Sequence, residues 1–406
     1  MSTERLYKED QYLKSCTAAV TAVREKDGFD VITCNKSVFY PRGGGQPADT
    51  GTVSRGNLIW SVTDTYDESL ISDVWHLTDA PAGTFSAGDE VTLTIDWDMR
   101  FLNMQRHCGE HMLSGTFHTL FGGVNKGFHI GDGYVSIDID LDGRLLTDEE
   151  IDLAGRMVNE AIWADLPVKV TYFDTYEESL IMPVRKAVPH EGVVSVVTVG
   201  DPDDPYDCIA CCGTHPSSSA QVGLLAIYKH EPNKGMTRIF FDCGSAALAR
   251  LTADESLLMR IADRYSCASQ DLMKRLDTEE ENLSELKARM SKLSAYVREN
   301  ESSRIAGEAA AKGACRFAAE NDVLSVDELL KTGFEVMEKS SLTLLALMHP
   351  ETSTCLIFSD GSVKCGAMVK EKAPAHNGRG GGRDDNARAM FASASDMRAF
   401  AEDITC

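Results

Sequence analysis

Two short clusters carry residue types from which a metal site can be built. In His107-Cys108-Gly109-Glu110-His111 the histidines are four apart. On a helix that spacing places both imidazoles on one face, one turn apart, where they can share an ion. The same string reads as H-x-x-E-H, the arrangement of metalloproteases whose glutamate activates a water. Glu110 would sit about 100° around the helix from the neighbouring histidine and is read as solvated or standing behind the ligands, a base only if the helix presents it to the pocket. About a hundred residues later, Cys211-Cys212-Gly213-Thr214-His215 offers a thiolate and an imidazole from a tight turn. Donors of that borderline softness suit zinc. The two clusters together give His107, His111, Cys211 and His215 as candidate ligands of one Zn2+. A protease would want a carboxylate as its remaining ligand, and the second cluster supplies none. Cys211 and Cys212 both remain open as the thiolate, although Cys208 and Cys212 also read as small buried hydrophobes.

A third string, Phe39-Tyr40-Pro41-Arg42-Gly43-Gly44-Gly45-Gln46-Pro47-Ala48-Asp49-Thr50-Gly51, joins a glycine turn to Gln46, which can donate and accept at once. Arg42 within it could pair with phosphate or face water, and water is the preferred reading.

These clusters need elements to hold them. Short alternating segments such as DTGTVSRG, LIWSVTD and DEVTLTID, separated by turn residues, describe a β-barrel or sandwich over residues 1–95. From Met99 to Phe121 the period becomes helical, with Phe101, Met104, Cys108, Met112 and Leu113 on one side after an Asp96 and Asp98 start signal. Strands YVSIDIDL, VKVTYFD, VVSVVTV, GLLAIYKH and TRIFFDCG, with the helix DEEIDLAGRMVNEAIWA, make residues 96–248 an α/β domain. Ten of the 12 prolines lie at or before Pro232 and none between Asn233 and His349, so helix can run uninterrupted there. Within the linker, residues 249–307, Leu272, Leu276, Leu283, Leu286, Met290, Leu293 and Val297 keep a 4-3-4 spacing broken at Glu279. That is about three heptads, which fits a dimerising coiled coil and a helix packed on its own domain equally. Residues 308–406 read as a compact α/β domain with a Gly-rich loop, HNGRGGGRDDNARAMF. The fold class is therefore α+β and multidomain.

Composition narrows the classes. With 406 residues, 43% hydrophobic and 25% charged, the chain is long enough for several packed cores and is not a disordered protein. Its polar start, MSTERLYKEDQYLKSC, and the lack of eighteen consecutive apolar residues read as a soluble, cytoplasmic chain without a membrane partner. The 12 cysteines read as mostly reduced core thiols. A net charge of −23 opposes long-range attraction to nucleic acid, so any such binding needs a local basic patch. Lys364, Lys370, Lys372, Arg379 and Arg383 against Glu371 supply one, net +4 between Gly361 and Arg383.

The ordered strings FYPRGGGQPADTG, RHCGEHMLSG, YDCIACCGTHP and HNGRGGGRDDNARA resemble the alanyl-tRNA trans-editing proteins of the long form, which are similar to the editing and C-terminal parts of alanyl-tRNA synthetase. The resemblance runs from about residue 30 to 400. It implies a deacylase that hydrolyses serine or glycine from alanine tRNA, with an editing domain that carries zinc. A synthetic pocket rejects such amino acids poorly, since a methyl is worth only about 1–3 kcal/mol and serine adds one hydroxyl. Carried over residue by residue, the family's ligands fall on His107, His111, Cys211 and His215. Gln46 becomes the candidate sensor of the seryl hydroxyl, with Thr214 beside it in the pocket. Cys212 departs from the family's Cys-Gly-Gly-Thr-His. The C-terminal basic residues are implied in tRNA contact, and the linker or C-terminal domain in a homodimer. A zinc-stabilised tRNA-binding protein without catalysis is the alternative, and a metalloprotease a less favoured one.

Overall fold

In Glu90–Ile95 burial alternates, with Val91, Leu93 and Ile95 inside and their neighbours partly exposed, the period of a strand with one face on a core. Six such strands close into a barrel in the computed structural model, which describes residues 2–68, 72–131, 133–185 and 192–406. They are β1 (Ser15–Lys26), β2 (Phe29–Cys34), β3 (Gly51–Arg55), β4 (Leu58–Asp67), β5 (Val74–Pro81) and β6 (Glu90–Ile95), closed in the order β1-β2-β5-β4-β3-β6. Closure leaves the barrel no unpaired edge. Its interior is apolar, built around Ile32, Phe39, Val53 and Leu93.

Asp96 ends β6 and starts helix α1 (Trp97–Phe121) by accepting from Met99 N at 3.2 Å. Almost every residue of α1 between Arg100 and Phe117 is buried, polar ones included. Each buried charge has its partner: Arg100 Nε donates to both Asp49 oxygens at 2.9 Å, and Arg106 is bidentate to Asp242 at 2.7 and 2.8 Å. Removing one member of such a pair costs about 3–5 kcal/mol. The Arg100 pair ties the Gly-rich string of the barrel to the first turn of α1.

Around α1 stand two antiparallel sheets. Strands β7 (Val124–Gly131), β8 (Tyr134–Asp140), β12 (Leu225–Asn233) and β13 (Met236–Cys243) form one, ordered β12-β13-β8-β7. Strands β9 (Val168–Phe173), β10 (Val194–Asp201) and β11 (Asp204–Ala210) form the other. Helix α2 (Asp148–Trp163), opened by a Thr147/Glu150 capping box, packs Ile151, Val158 and Ile162 into the core that Met112, Leu113 and Phe117 of α1 share with Ile137 and Phe241.

The chain divides into two compact units, residues 1–260 and 261–406. The proline-free stretch does not run as one helix. Helix α3 (Gly244–Arg264) ends where Ser266 takes φ 52, and α4 (Leu272–Ala311) begins after a short 3-10 turn. Absence of proline permits a helix but does not prevent a left-handed residue from ending it. In the second unit a five-stranded sheet, β14 (Arg316–Glu320), β15 (Leu344–His349), β16 (Thr354–Ser359), β17 (Gly378–Gly382) and β18 (Asn386–Phe391), is ordered β14-β15-β16-β18-β17. Helices α5 (Val326–Lys339), α6 (Cys365–Lys372) and α7 (Ala394–Thr405) complete it. The glycine run read as a loop is thus an edge strand, paired from Gly378↔Phe391 to Gly382↔Ala387. Gly380 and Gly382 are needed because the neighbouring backbone comes too close for side chains: a Cβ on Gly380 would stand 2.1 Å from Arg388 O.

No helix among the described residues is long and apolar enough to cross a membrane. All 12 cysteines are free.

Candidate metal centre and cleft

Helix α1 carries His107 and His111 one turn apart with ring centroids 4.8 Å from each other. The segment after β11 brings His215 to 4.7 Å from the first ring and 4.9 Å from the second. Cys211 Sγ lies 3.3 Å from His107 Nε2. One ligand atom from each of His107, His111, Cys211 and His215 falls within 4.8 Å of all the others. Among the described residues no carboxylate shares this group, so the protease arrangement is not built from them.

The turn between Cys211 and His215 runs hard against α1. A Cβ at Gly213 would sit 2.2 Å from His107 Cε1, and only glycine lets the backbone pass. The Gly-rich string closes the other side. Gln46 Oε1 accepts from Thr214 N at 3.0 Å and lies 2.9 Å from His107 Nδ1, while Gln46 Nε2 donates to Thr214 Oγ1 at 2.8 Å. A carbonyl oxygen can only accept, so His107 carries its proton on Nδ1 and its Nε2 is left to the metal position. Gln46 and Thr214 are both buried, and the cleft wall reaches Gly44 of the same string but neither of them.

Electrostatics fit a cation. Burial alone would raise the Cys211 thiol, but His107 and His111 hold it well below its ordinary value. Burial likewise opposes the charge on His111, and Cys211 with Glu110 overrides it, pushing the ring up to about 10. His215, with burial dominant, is depressed to about 4. His111 Nε2 and both His215 nitrogens are buried without a hydrogen-bond partner. Orphaned imidazoles facing a thiolate are what a zinc ion would satisfy.

Glu110 is neither solvated nor a ligand. It is buried, with one oxygen 3.0 Å from His111 Nδ1 and the other accepting from Ser114 Oγ at 2.6 Å and Asn125 Nδ2 at 2.7 Å. His107, His111 and Cys211 of the cluster line a cleft of about 420 Å3 whose walls include Phe128, Val194, Ile209 and Ala210. Cys212 is exposed and lines this cleft, which corrects its reading as a buried hydrophobe, whereas Cys208 is buried. Asn125 and Arg185 also line the cleft and were not singled out from sequence. Neither lies in a motif; a pointer existed only in their partners, Glu110 and Asp207. Arg42 is solvent-exposed and paired with Asp64.

In the second unit, Lys370, Arg379 and Arg383 are exposed. Lys364 is 3.6 Å from Asp384, and Lys372 is 3.1 Å from Asp403. The +4 count stopped at Arg383 and left out these acids, which the fold returns to two of the five cations.

The family described as tRNA synthetases class II (A) matches residues 8–99, the barrel. The threonyl and alanyl tRNA synthetase second additional domain matches residues 194–240, which include Cys211 and His215. The chain is 28% identical over 389 residues to alanyl-tRNA editing protein AlaX-L of Pyrococcus horikoshii, covering 95% of this chain and 94% of that one. To alanyl-tRNA editing protein Aarsd1 of Bos taurus it is 28% identical over 279 residues, 64% of this chain and 59% of the relative. Alanine–tRNA ligase of Pyrobaculum aerophilum is 32% identical over 257 residues, 61% of this chain and only 27% of the ligase. End-to-end similarity to one editing protein, joined to two matched segments described by synthetase families, makes this chain similar to the alanyl-tRNA editing proteins of the AlaX kind.

Proposed function

We propose that the chain is an aminoacyl-tRNA deacylase acting in trans, hydrolysing the ester between the terminal adenosine of alanine tRNA and a wrongly attached serine or glycine. The observation that carries this reading is the convergence of His107, His111, Cys211 and His215, the first three of which line a largely apolar cleft. Such a cleft holds a small aminoacyl group away from bulk water while a few placed polar groups fix its orientation. Bound to those four side chains, zinc would lock the two segments together and, with a position open, would polarise an ester carbonyl or bring the pKa of a water toward about 7. The remaining work belongs to the protein. Gln46 keeps the His107 proton on Nδ1, Thr214 fixes Gln46, and Glu110 stands against His111. In this reading Gln46 and Thr214 are positioning residues.

Mischarged alanine tRNA is the proposed partner, and the cytoplasm the proposed place of action. Lys370, Arg379 and Arg383 are its foremost contacts in the second unit, with Lys364 and Lys372 available once their aspartates are displaced. A second copy is a further proposed partner: Leu283, Leu286, Met290 and Leu293 of α4 are 52%, 58%, 60% and 58% exposed. Sedimentation as a monomer would remove that part.

The test is release of amino acid from seryl-, glycyl- and alanyl-tRNA by the purified chain and by His107→Ala. The expected result is hydrolysis of the first two, sparing of alanyl-tRNA, and a loss in the variant at least as large as the roughly 10–100-fold that follows removal of a ligand's supporting partner. Equal hydrolysis of all three, or binding without turnover, contradicts it.

A further inference from the structure

Telling serine from alanine turns on one hydroxyl. A site that accepts that hydroxyl must contain a buried polar group which alanine leaves unpaired. In the free protein the responsible residue should therefore show as a buried cleft atom without a partner. Most polar side chains of the cleft are already committed. Ser195 Oγ donates to Cys211 O at 2.5 Å, and Asn125 Nδ2 donates to Glu110 and Ser114. Lys126 stands in solvent. Gln46, the sensor suggested by the resemblance, is spent on His107 and Thr214 and lies outside the cleft wall.

Arg185 differs from all of these. It lines the cleft, and its Nη2 is buried with no hydrogen-bond partner among the described residues. Its other side is fixed: Nε donates to Asp207 Oδ1 at 2.6 Å, with the two side chains only 11% and 2% exposed. Its backbone N donates to Cys208 O at 2.9 Å. Asp207 is itself wedged beneath α1 at Gly115, where a Cβ would stand 2.7 Å from its Oδ1. The guanidinium cannot swing away from Asp207 without breaking a buried ion pair, whose second carboxylate oxygen, Oδ2, is likewise buried without a hydrogen-bond partner among the described residues. Its planar fork is thus held by one nitrogen in a side chain that lines the cleft, while a second nitrogen is buried and unpaired, an arrangement a flexible ammonium would not reproduce.

We propose that Arg185 Nη2 is the donor that recognises the seryl hydroxyl and so sets the preference of the cleft for serine. The hydroxyl oxygen of a bound seryl group accepts from Nη2, and alanine or glycine in the same place leaves that donor buried and unpaired. This inference rests on the deacylase reading above.

The experiment compares kcat/KM on seryl-tRNA and glycyl-tRNA for the parent, Arg185→Lys and Arg185→Ala, with zinc content measured on the same preparations. Arg185→Lys keeps a cation beside Asp207 but lacks the second nitrogen of the planar fork. The ratio of seryl to glycyl turnover is expected to fall about 10–100-fold in both variants, the loss of one hydrogen bond to a charged donor. A general loss of fold or metal lowers both substrates together and leaves the ratio where it was. An unchanged ratio overturns the role of Arg185 while the parent's turnover keeps the deacylase reading intact. A parent that releases neither amino acid overturns both.

Discussion

Cys211 and Cys212 are adjacent and chemically alike, and the turn that carries them gives each a different environment. Cys211 Sγ faces His107 Nε2 at 3.3 Å. Cys212 is exposed, with its Sγ 3.2 Å from where a Cβ of Gly44 would be. Cys211→Ser is therefore expected to lose zinc binding, since a hydroxyl is a poor substitute for a thiolate, and Cys212→Ser to keep it. Competition for zinc against a chromophoric chelator checks this, and the opposite ranking would reassign the ligand. At this scale residue types revealed the candidate chemistry, but not how each side chain is used. Gln46 has the hydrogen-bonding versatility of a substrate sensor, yet its amide is consumed by partners 61 and 168 residues away. Arg185 lies in no recognisable string and became visible only through its unpaired Nη2.

Elements were legible where their local signals agreed. Asp96, Asp98 and the apolar spacing marked α1, and alternation marked the barrel strands. Strands β7 and β11 escaped because VNKGFHIG carries an interior glycine and DPYDCIA a proline and two aspartates, against strand propensity; tertiary packing overrides it. The buried polar face of α1 was illegible for a related reason, since Arg100, Arg106 and Glu110 look solvated until Asp49, Asp242 and Asn125 arrive from other elements. Strand β5 carries a comparable case in His76, fully buried, with Nδ1 3.2 Å from Ile32 O and Nε2 2.8 Å from Ser37 Oγ. Burial lowers its pKa from 6.5 to about 4. The folded state thus prefers the neutral ring, so this contribution is full above about pH 6.5 and is lost as pH falls toward 4, about 3 kcal/mol over the whole window. Urea unfolding of the parent should lose roughly 2 kcal/mol between pH 7 and pH 5 beyond what His76→Gln loses. Identical losses would show that His76 titrates normally.

Across the whole molecule, three segments far apart in the chain meet at one point: the glycine string of the barrel, the middle of α1 and the turn after β11. Sequence presented them in order, but pairings over such separations are set by tertiary packing. The same holds for charge, where a net −23 and a local +4 gave no hint that Asp384 and Asp403 would lie against Lys364 and Lys372. What the three segments build is, on this account, a single zinc centre at the cleft. Metal analysis with X-ray absorption at the zinc edge tests it most directly. The account predicts one zinc per chain, with one sulfur at about 2.3 Å and three nitrogens at about 2.0–2.1 Å, and little or no zinc retained by Cys211→Ser. A chain that takes up no zinc, or one whose metal is surrounded by oxygen alone, would contradict it.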